Sequence, residues 1–322
     1  MPRVILIAFD GVQTLDITGP GEVFAAAARV SGRPCYQLCF ASMGGGERLT
    51  SQGLPVRTRD LARVRPRRGD TVIVAGGDGA AIEGALAGGR LPVWLARALP
   101  VVRRMASVCS GAFILAAAGI LDGRRAATHW SDCERLARRF PRVAVDANAI
   151  FVVDGKVWTS AGVTTGIDMA LAIVERDFEQ DHGRALADRI AANLVLYLRR
   201  PGFQSQFSQA LVAQTTGSDP LGPAIAWARA HLAEADIESL ARQAALSVRT
   251  LHRRCLQTLG TTPGKLLARL RVEQARTLLT SSRLPSKTLA AQCGFGNGAR
   301  MKRAFGRELG VGPREYRALH SG

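Results

Sequence analysis

The last hundred residues of the chain contain an internal repeat, and a repeat constrains the fold more strongly than any single motif. The segment LARQAAL at 240–246 recurs as LAAQCGF at 289–295, and LGTTP at 259–263 recurs as LGVGP at 309–313. Each copy has the pattern of a short helix, a tight turn and a second helix that ends at a Gly and a Pro. The sequence therefore predicts two similar all-α units, each a helix-turn-helix.

The second helix of each copy has an apolar side and a basic side. In the first copy, 247–259, Ser247 can cap the helix, and the predicted inner stripe is Val248, Leu251, Cys255 and Leu259. In the second copy, 297–309, the predicted inner residues are Met301 and Phe305. At the turn, the second copy has Gly294, which takes a positive φ easily, whereas the first copy has Ala245.

The basic sides of these two helices are the predicted contact surface for double-stranded DNA. At an offset of 50, Arg253 and Arg303 occupy the same position, and an outward Arg there can bond guanine in the major groove or hold a phosphate. The amphipathic segment 263–279 between the copies can hold them so that they reach successive major grooves. The predicted DNA-binding side chains are those of Arg249, His252, Arg253, Arg300, Lys302 and Arg303.

The charge distribution agrees with a DNA partner. Residues 220–322 hold 17 Lys and Arg against 6 Asp and Glu, whereas residues 1–219 hold 26 against 20. Basic charge concentrated in a short segment is typical of proteins that bind the phosphate backbone. The six cysteines are scattered without metal-ligand spacing, the chain opens on a strand-like run, and no apolar run is long enough to span a membrane. We therefore expect a cytoplasmic, nucleoid-associated protein with no metal, no cofactor and no membrane contact.

The first 200 residues alternate apolar, β-rich runs with helix-like segments. The runs 4–9, 36–42, 71–77 and 105–110 have the pattern of strands that are buried on both faces. Helices are predicted at 19–30, 91–104 and 166–200, and a hairpin at 150–161. This alternation predicts an α/β domain with a parallel sheet. The predicted organisation is an α/β domain at 1–200, a polar linker at 201–222 and an all-α domain at 223–322.

The C-terminal repeat resembles the AraC/XylS family of transcription regulators. The resemblance covers about 225–319 and depends on CGFGNGARMKRAFGRELGVGPREYR at 293–317, together with the two units and the helix between them. Two departures stand out. Arg300 and Met301 replace an aromatic pair that is common in the family, and Cys255 stands where a Phe is usual. The resemblance implies sequence-specific DNA binding and transcriptional control.

Cys109 lies where a predicted buried strand meets a helix of small residues, in the segment VCSGAF at 108–113. A strand-turn-helix bend of this kind is a nucleophile elbow, which lifts one side chain above the edge of the sheet. A helix N-terminus at the bend would favour the thiolate. The N–H groups of Ser110 and Gly77 could together form an oxyanion hole.

This half of the chain resembles the PfpI/class I glutamine-amidotransferase-like superfamily, over about residues 3–200. The resemblance depends on FDGVQTLDITGPGEVF at 9–24, AGG at 75–77, VCSGAF at 108–113, THW at 128–130 and TSAG at 159–162. It implies a flavodoxin-like sheet with Cys109 as the elbow cysteine, Asp16 as its acidic neighbour and His129 as the nearby histidine. Glu22 is a second carboxylate in the same stretch.

Four roles remain open for this domain on the residues alone. It can sense a small-molecule effector near Asp16, Gly77, Cys109, Ser110 and His129, and family analogy suggests a nitrogenous or amino-acid-like metabolite. It can be a hydrolase or hydratase that acts through Cys109, a redox sensor at that thiol, or a structural and dimerising domain. We expect the first role, in a homodimeric, effector-controlled regulator that is not an enzyme.

Overall fold

The computed structural model describes residues 1–147, 149–196, 220–259, 261–282, 284–309 and 311–320. The chain divides into two compact units, Met1–Gln206 and Phe207–Gly322. The predicted linker at 201–222 lies outside the described residues up to position 219, as do the last four residues of the predicted helical segment 166–200.

The first unit contains an eight-stranded sheet and a separate two-stranded one. The strands are β1 Arg3–Ile7, β2 Gln37–Ser42, β3 Gly46–Leu49, β4 Pro55–Asp60, β5 Thr71–Val74, β6 Arg104–Val108, β7 Arg125–Ala126, β8 Ala144–Val145, β9 Phe151–Asp154 and β10 Val157–Ser160. The order in the large sheet is β3-β4-β2-β1-β5-β6-β10-β9, with antiparallel pairs only at the two edges. The predicted parallel α/β architecture is therefore confirmed.

Helices pack on this sheet as the alternating pattern predicted, with some boundaries moved. They are α1 Thr14–Ser31, α2 Gly79–Leu86, α3 Arg90–Ala98, α4 Gly111–Ala117, α5 Cys133–Arg139, α6 Thr165–Asp177 and α7 Gly183–Asn193. Helix α3 ends before Pro100 and not at 104, because proline cannot donate the next helical hydrogen bond. The hairpin of β9 and β10 was predicted, whereas the hairpin of β3 and β4 was not, since its exposed strands lack an apolar pattern.

The parallel strands direct the loops of the first unit to one edge of the sheet. Every residue of β5 and β6 is buried, and so is all of β10, as expected for central strands that are covered on both faces. Because β1, β5, β6 and β10 run in the same direction, the segments that follow them emerge at the same edge. These segments contain Gly11, Gly76, Cys109 and Gly162, and they build the candidate ligand site.

The second unit is all helical over its described residues and contains the predicted repeat. Its helices are α8 Leu221–Ala230, α9 Ile237–Gln243, α10 Val248–Leu259, α11 Pro263–Ser281, α12 Ser286–Gln292, α13 Gly298–Leu309 and α14 Pro313–His320. Thus α9–α10 and α12–α13 form the two helix-turn-helix pairs, and α11 joins them. Leu221 and Gly222, which were expected in the linker, belong to α8.

The inner stripes of the helical unit follow the prediction with one exception. Leu251, Cys255 and Leu259 are buried in the first pair, and Met301 and Phe305 in the second. Val248 was expected to be inside and is 44% exposed. It is the first residue of α10 and therefore lies at the end of the helix, where the apolar periodicity alone does not reveal whether the core extends that far.

Both turns have the left-handed backbone that the sequence predicted for one of them. The φ angle is +76° at Gly294 and +51° at Ala245, so the first turn holds an alanine in a conformation that costs L-residues energy. A Cβ added at Gly294 would lie 1.9 Å from the carbonyl oxygen of Leu232. Glycine is therefore required at the second turn for two reasons, the dihedral angle and the space.

Candidate functional site

Cys109 lies at the predicted bend between β6 and α4. Its φ is +56°, which is unusual for a non-glycine residue, and its N–H donates to the carbonyl of Ser160 at 3.0 Å. The helix can start so close to the sheet because Gly111 has no side chain. A Cβ there would lie 2.4 Å from the carbonyl oxygen of Val74. Cys109 is thus held above the strand ends by a strained, tightly packed turn.

Ser110 and Gly77 bond to each other. The Gly77 N–H donates to the Ser110 Oγ at 2.9 Å, and that hydroxyl donates to the Gly77 carbonyl oxygen at 2.6 Å. The expected oxyanion hole needs a free N–H on Gly77, so this part of the expectation is wrong for the geometry described here. The pair instead joins the segment after β5 to the start of α4.

Asp16 is fully buried on the first turn of α1 and fastens two of the edge segments. Its Oδ2 accepts the N–H of Gly76 at 3.1 Å, and its Oδ1 accepts the N–H of Val163 at 2.9 Å. Burial raises the pKa of Asp16 to about 6, although the two N–H groups act in the opposite direction. The Asp16 carboxylate therefore links the segment that follows β5 to the segment that follows β10.

The thiol of Cys109 is kept protonated. Burial is the main cause and the charge of Asp16 the second, and together they raise the pKa of Cys109 to about 12, although the Ser110 N–H lowers it. The helix N-terminus was expected to favour the thiolate. Desolvation of the partly buried thiol and the nearby charge of Asp16 outweigh that contribution, since α4 is only seven residues long.

His129 and Glu22 do not complete a catalytic set with the cysteine. The Nδ1 of His129 lies 2.7 Å from the Ser131 Oγ, and no hydrogen bond among the described residues joins its ring to Cys109. Burial lowers the pKa of the half-buried His129, which favours its neutral form. Glu22 is exposed and pairs with Arg29 at 3.3 Å, so the second carboxylate lies outside the site.

Two glycines were not singled out as site residues, and both touch the cysteine. A Cβ on Gly76 would lie 2.8 Å from both the Cys109 Cβ and the Asp16 Oδ2. A Cβ on Gly162, whose φ is +108°, would lie 2.7 Å from the Cys109 Sγ. Their presence in AGG and TSAG was visible in the sequence. Their role was not, because it depends on which strand ends meet.

A cleft of about 610 Å³ opens on the other side of Gly77. It is lined by the end of β1, the end of β2 and the face of α2, and its charged side chains are those of Asp10, Arg48, Asp78 and Arg90. Arg48 is paired with Asp10 at 3.1 Å. Gly77 borders this cleft, because a Cβ on it would lie 3.0 Å from the lining residue Ala81.

The structure leaves the six predicted DNA-binding side chains outward. All of them are exposed, and none has a carboxylate partner among the described residues. The helices that carry them begin with caps, since the Thr250 N–H donates to Ser247 Oγ at 3.2 Å and the Arg300 N–H donates to Asn297 Oδ1 at 2.9 Å. The six residues are Arg249, His252, Arg253, Arg300, Lys302 and Arg303.

Two family models match the chain, one for each part. The model described as the DJ-1/PfpI family matches residues 2–176, and the one described as a helix-turn-helix domain matches residues 240–319. The fold and the two helical pairs define a helix-turn-helix transcription regulator of the AraC type. The chain belongs to the DJ-1/PfpI family, with the DNA-binding domain joined to the family's α/β domain.

Several proteins are similar to this chain over most of its length. The HTH-type transcriptional regulator GbdR of Pseudomonas aeruginosa strain UCBPP-PA14 is 29% identical over 97% of this chain and 83% of its own length. The HTH-type transcriptional regulator GlxA of Rhizobium meliloti strain 1021 is 29% identical over 92% of this chain and 89% of its own length.

Among solved structures, an AraC family transcriptional regulator from Pseudomonas putida superposes with a TM-score of 0.52 at 22% identity, over 60% of this chain and all of that one. At that identity the likeness concerns the fold alone.

Among the described residues, no helix combines the length and the apolar character that crossing a membrane requires.

Proposed function

We propose that the chain regulates transcription by binding DNA through α10 and α13, under the control of a small molecule that binds in the α/β unit. The observation that carries the DNA part is the pair of outward basic faces at matching positions of the repeat. Exposed guanidinium groups without carboxylate partners are free to meet phosphates and guanine edges. Arg253 and Arg303 are the proposed base readers because they occupy equivalent places in the two units.

The test is a binding measurement with the full chain. A duplex selected from a random pool by the protein is titrated at 50 and 200 mM salt, alongside a scrambled duplex. Contacts to several phosphates predict a steep loss of affinity with salt. Arg253→Ala and Arg303→Ala should each cost about 1–3 kcal/mol on the selected duplex and less on the scrambled one. Unchanged affinity in both variants would overturn the proposed recognition helices.

For the α/β unit, binding of an effector is favoured over catalysis. The Cys109 thiol is protonated at neutral pH, the Gly77 N–H is engaged by Ser110, and His129 bonds to Ser131. The raised pKa of Cys109 and the lack, among the described residues, of a hydrogen bond from the His129 ring to it support sensing over nucleophilic catalysis. The cleft beside Gly77 offers room for a ligand. A shift of α2 on binding would displace Gly77 and, through its hydrogen bond, Ser110 and the neighbouring Cys109.

The rival activities have separate outcomes. If Cys109→Ala still changes its DNA affinity in response to the inducer, the unit senses the effector without covalent chemistry. Turnover of a substrate that disappears in Cys109→Ala would favour a hydrolase or hydratase. Peroxide-dependent DNA binding that disappears in the same variant would favour redox sensing. Homodimer formation and cytoplasmic location remain predictions, and the mass of the protein in solution tests the first.

A further inference from the structure

The helical unit contains a cleft of about 470 Å³ between the connecting helix α11 and the second recognition helix α13. Four of its lining residues are arginines, and none is acidic. They are Arg271 on α11 and Arg300, Arg303 and Arg307 on α13, and this set with its cleft is called the arginine cleft. Two of its members, Arg271 and Arg307, were not among the predicted DNA-binding residues.

The helical repeat explains why three of these side chains gather on one face. Positions 300, 303 and 307 are spaced by three and four residues, so they lie one above another on α13. The opposite side of that helix buries Met301 and Phe305. Ala304, which is also buried, lies on the same face as the arginines and lines the cleft with them.

Arg271 enters the cleft because Gly294 leaves room for it. A Cβ at Gly294 would lie 2.8 Å from the Arg271 Nε. One end of this guanidinium donates to the carbonyl oxygen of Ala235 at 2.5 Å, whereas its Nε is buried and has no hydrogen-bond partner. An anion in the cleft would supply the acceptor that this donor lacks.

The cleft has no counter-charge of its own. The side chains of Arg300, Arg303 and Arg307 make no ion pair among the described residues, and Glu308, the nearby acid on α13, lies 3.4 Å from Arg269 instead. Guanidinium groups that share one cleft repel one another. One anion between them would turn this repulsion into attraction.

The first helix-turn-helix has no such cluster. At the offset of 50, Arg300 corresponds to Thr250 and Arg307 to Gln257, both of which are neutral. Only Arg303 has a charged counterpart, Arg253. The shared arginine fits a role common to both units, such as base reading, and the other arginines fit a role that only the second unit performs.

We propose that Arg271, Arg300 and Arg307 bind one phosphate group of the DNA backbone in the arginine cleft. This proposal rests on the DNA-binding function and adds positioning residues to it. Planar guanidinium groups bind phosphate oxygens in pairs, and contacts to phosphates fix the position of a recognition helix without reading sequence. The phosphate would hold α13 in its groove, with Arg303 left to reach the bases.

The test compares Arg300→Gln and Arg307→Gln with Arg97→Gln, a control that removes the same charge from an exposed position on α3. The full-length variants are titrated with the selected and scrambled duplexes at several salt concentrations. Each cleft variant should weaken binding about tenfold at 100 mM salt, equally on both duplexes, and should lower the slope of log affinity against log salt by about 1. The control should leave the affinity and the slope unchanged.

A cleft variant with the wild-type slope, or a control that matches the cleft variants, would overturn the proposal. In either case wild-type binding to the selected duplex would leave the DNA-binding function intact, whereas no binding by the wild type would contradict the function itself.

A second arm distinguishes the source of the phosphate. Neutral methylphosphonate is placed at one phosphate of the selected duplex at a time. One position should weaken the wild type and leave Arg307→Gln unaffected, because that variant no longer makes the contact. The opposite result is that no methylphosphonate position has this effect, while calorimetry shows inorganic phosphate binding to the wild type and not to Arg307→Gln. The cleft then holds a free phosphate, and the proposed contact with the DNA backbone is wrong.

Discussion

The polar groups at the two candidate sites differ in burial and in bonding: those of the α/β unit are buried and hydrogen-bonded, and those of the helical unit are exposed. In the α/β unit, Asp16 is fully buried and both of its oxygens accept backbone N–H groups, and the Ser110 hydroxyl bonds twice to Gly77. In the helical unit, Arg300, Arg303 and Arg307 are exposed and unpaired among the described residues. A satisfied buried group holds a structure together, whereas an unpaired charge is available to a partner. The unpaired arginines of the helical unit are therefore available to an anionic partner, whereas the polar groups beside Cys109 are already bonded within the fold.

The two helix-turn-helix pairs differ in a related way. The first begins with a capping box, in which Asp236 Oδ1 accepts the Ser239 N–H at 2.7 Å and the Ser239 hydroxyl accepts the Asp236 N–H at 2.9 Å. The second begins at Pro285 without a side-chain cap, but it has the glycine turn and the arginine cleft. The first pair therefore has the better helix start and the poorer turn.

The largest expected effect concerns the reactivity of Cys109. A thiol with a pKa of about 12 has about a thousandfold less thiolate at pH 7 than one with the ordinary value of 9, which corresponds to about 4 kcal/mol. We expect alkylation by iodoacetamide to be slower by that factor and to rise tenfold per pH unit up to pH 10 without a plateau. Mass spectrometry of the Cys109 peptide measures the rate. A plateau near pH 7 would show that the site is open and charged, and would break the comparison.

The next effect tests the two turns against each other. Gly294→Ala should destabilise the helical unit by about 3–5 kcal/mol, because its Cβ collides with the Leu232 carbonyl oxygen. Ala245→Gly, at the equivalent turn, should stabilise that unit by about 0.5–1 kcal/mol, because it relieves the strain of a positive φ. Urea unfolding followed by circular dichroism measures both. Changes of the same sign in the two variants would contradict the assigned turn geometry.

The third effect is a pH dependence that arises from Asp16. Its pKa is raised from 3.8 to about 6, so the folded state binds the proton more tightly than the unfolded state does. This contribution to stability is full below about pH 4 and is lost as the pH rises through 6, by about 3 kcal/mol in total. Asp16→Asn does not titrate. The free energy of unfolding of the wild type should therefore fall by about 2 kcal/mol more than that of the variant between pH 4 and pH 7, since part of the loss already occurs below pH 4.

The smallest effect concerns the helix start of the first pair. Asp236→Ala removes the acceptor of the Ser239 N–H and should cost about 1 kcal/mol of the free energy of unfolding. Pro285→Ala, at the equivalent position of the second pair, removes no side-chain cap and should cost less. Equal losses would mean that the capping box contributes nothing that the second pair lacks.

The sequence predicted most of what depends on neighbouring residues. The repeat located both helix-turn-helix pairs, Gly294 marked a left-handed turn, and apolar runs located the central strands and the bend at Cys109. The sequence predicted Val248 to be buried, but the apolar stripe of α10 extends past the end of the core there. It did not predict the β3–β4 hairpin, whose strands are exposed. The sequence indicated that a helix N-terminus would favour the thiolate and that the Gly77 N–H could serve an oxyanion hole. Neither inference included the burial and the bonding that only neighbours in space provide.

By itself, the sequence determined the order of helices and strands, the repeat and the excess of basic charge, since periodicity and turn chemistry are properties of consecutive residues. Only the tertiary structure decided which distant residues meet. It brought Asp16 against the backbone at 76 and 163, and Arg271 against the face of α13. Burial and the proximity of like charges depend on which distant residues come together. The tertiary structure therefore decides the protonation of Cys109 and the charge of the arginine cleft.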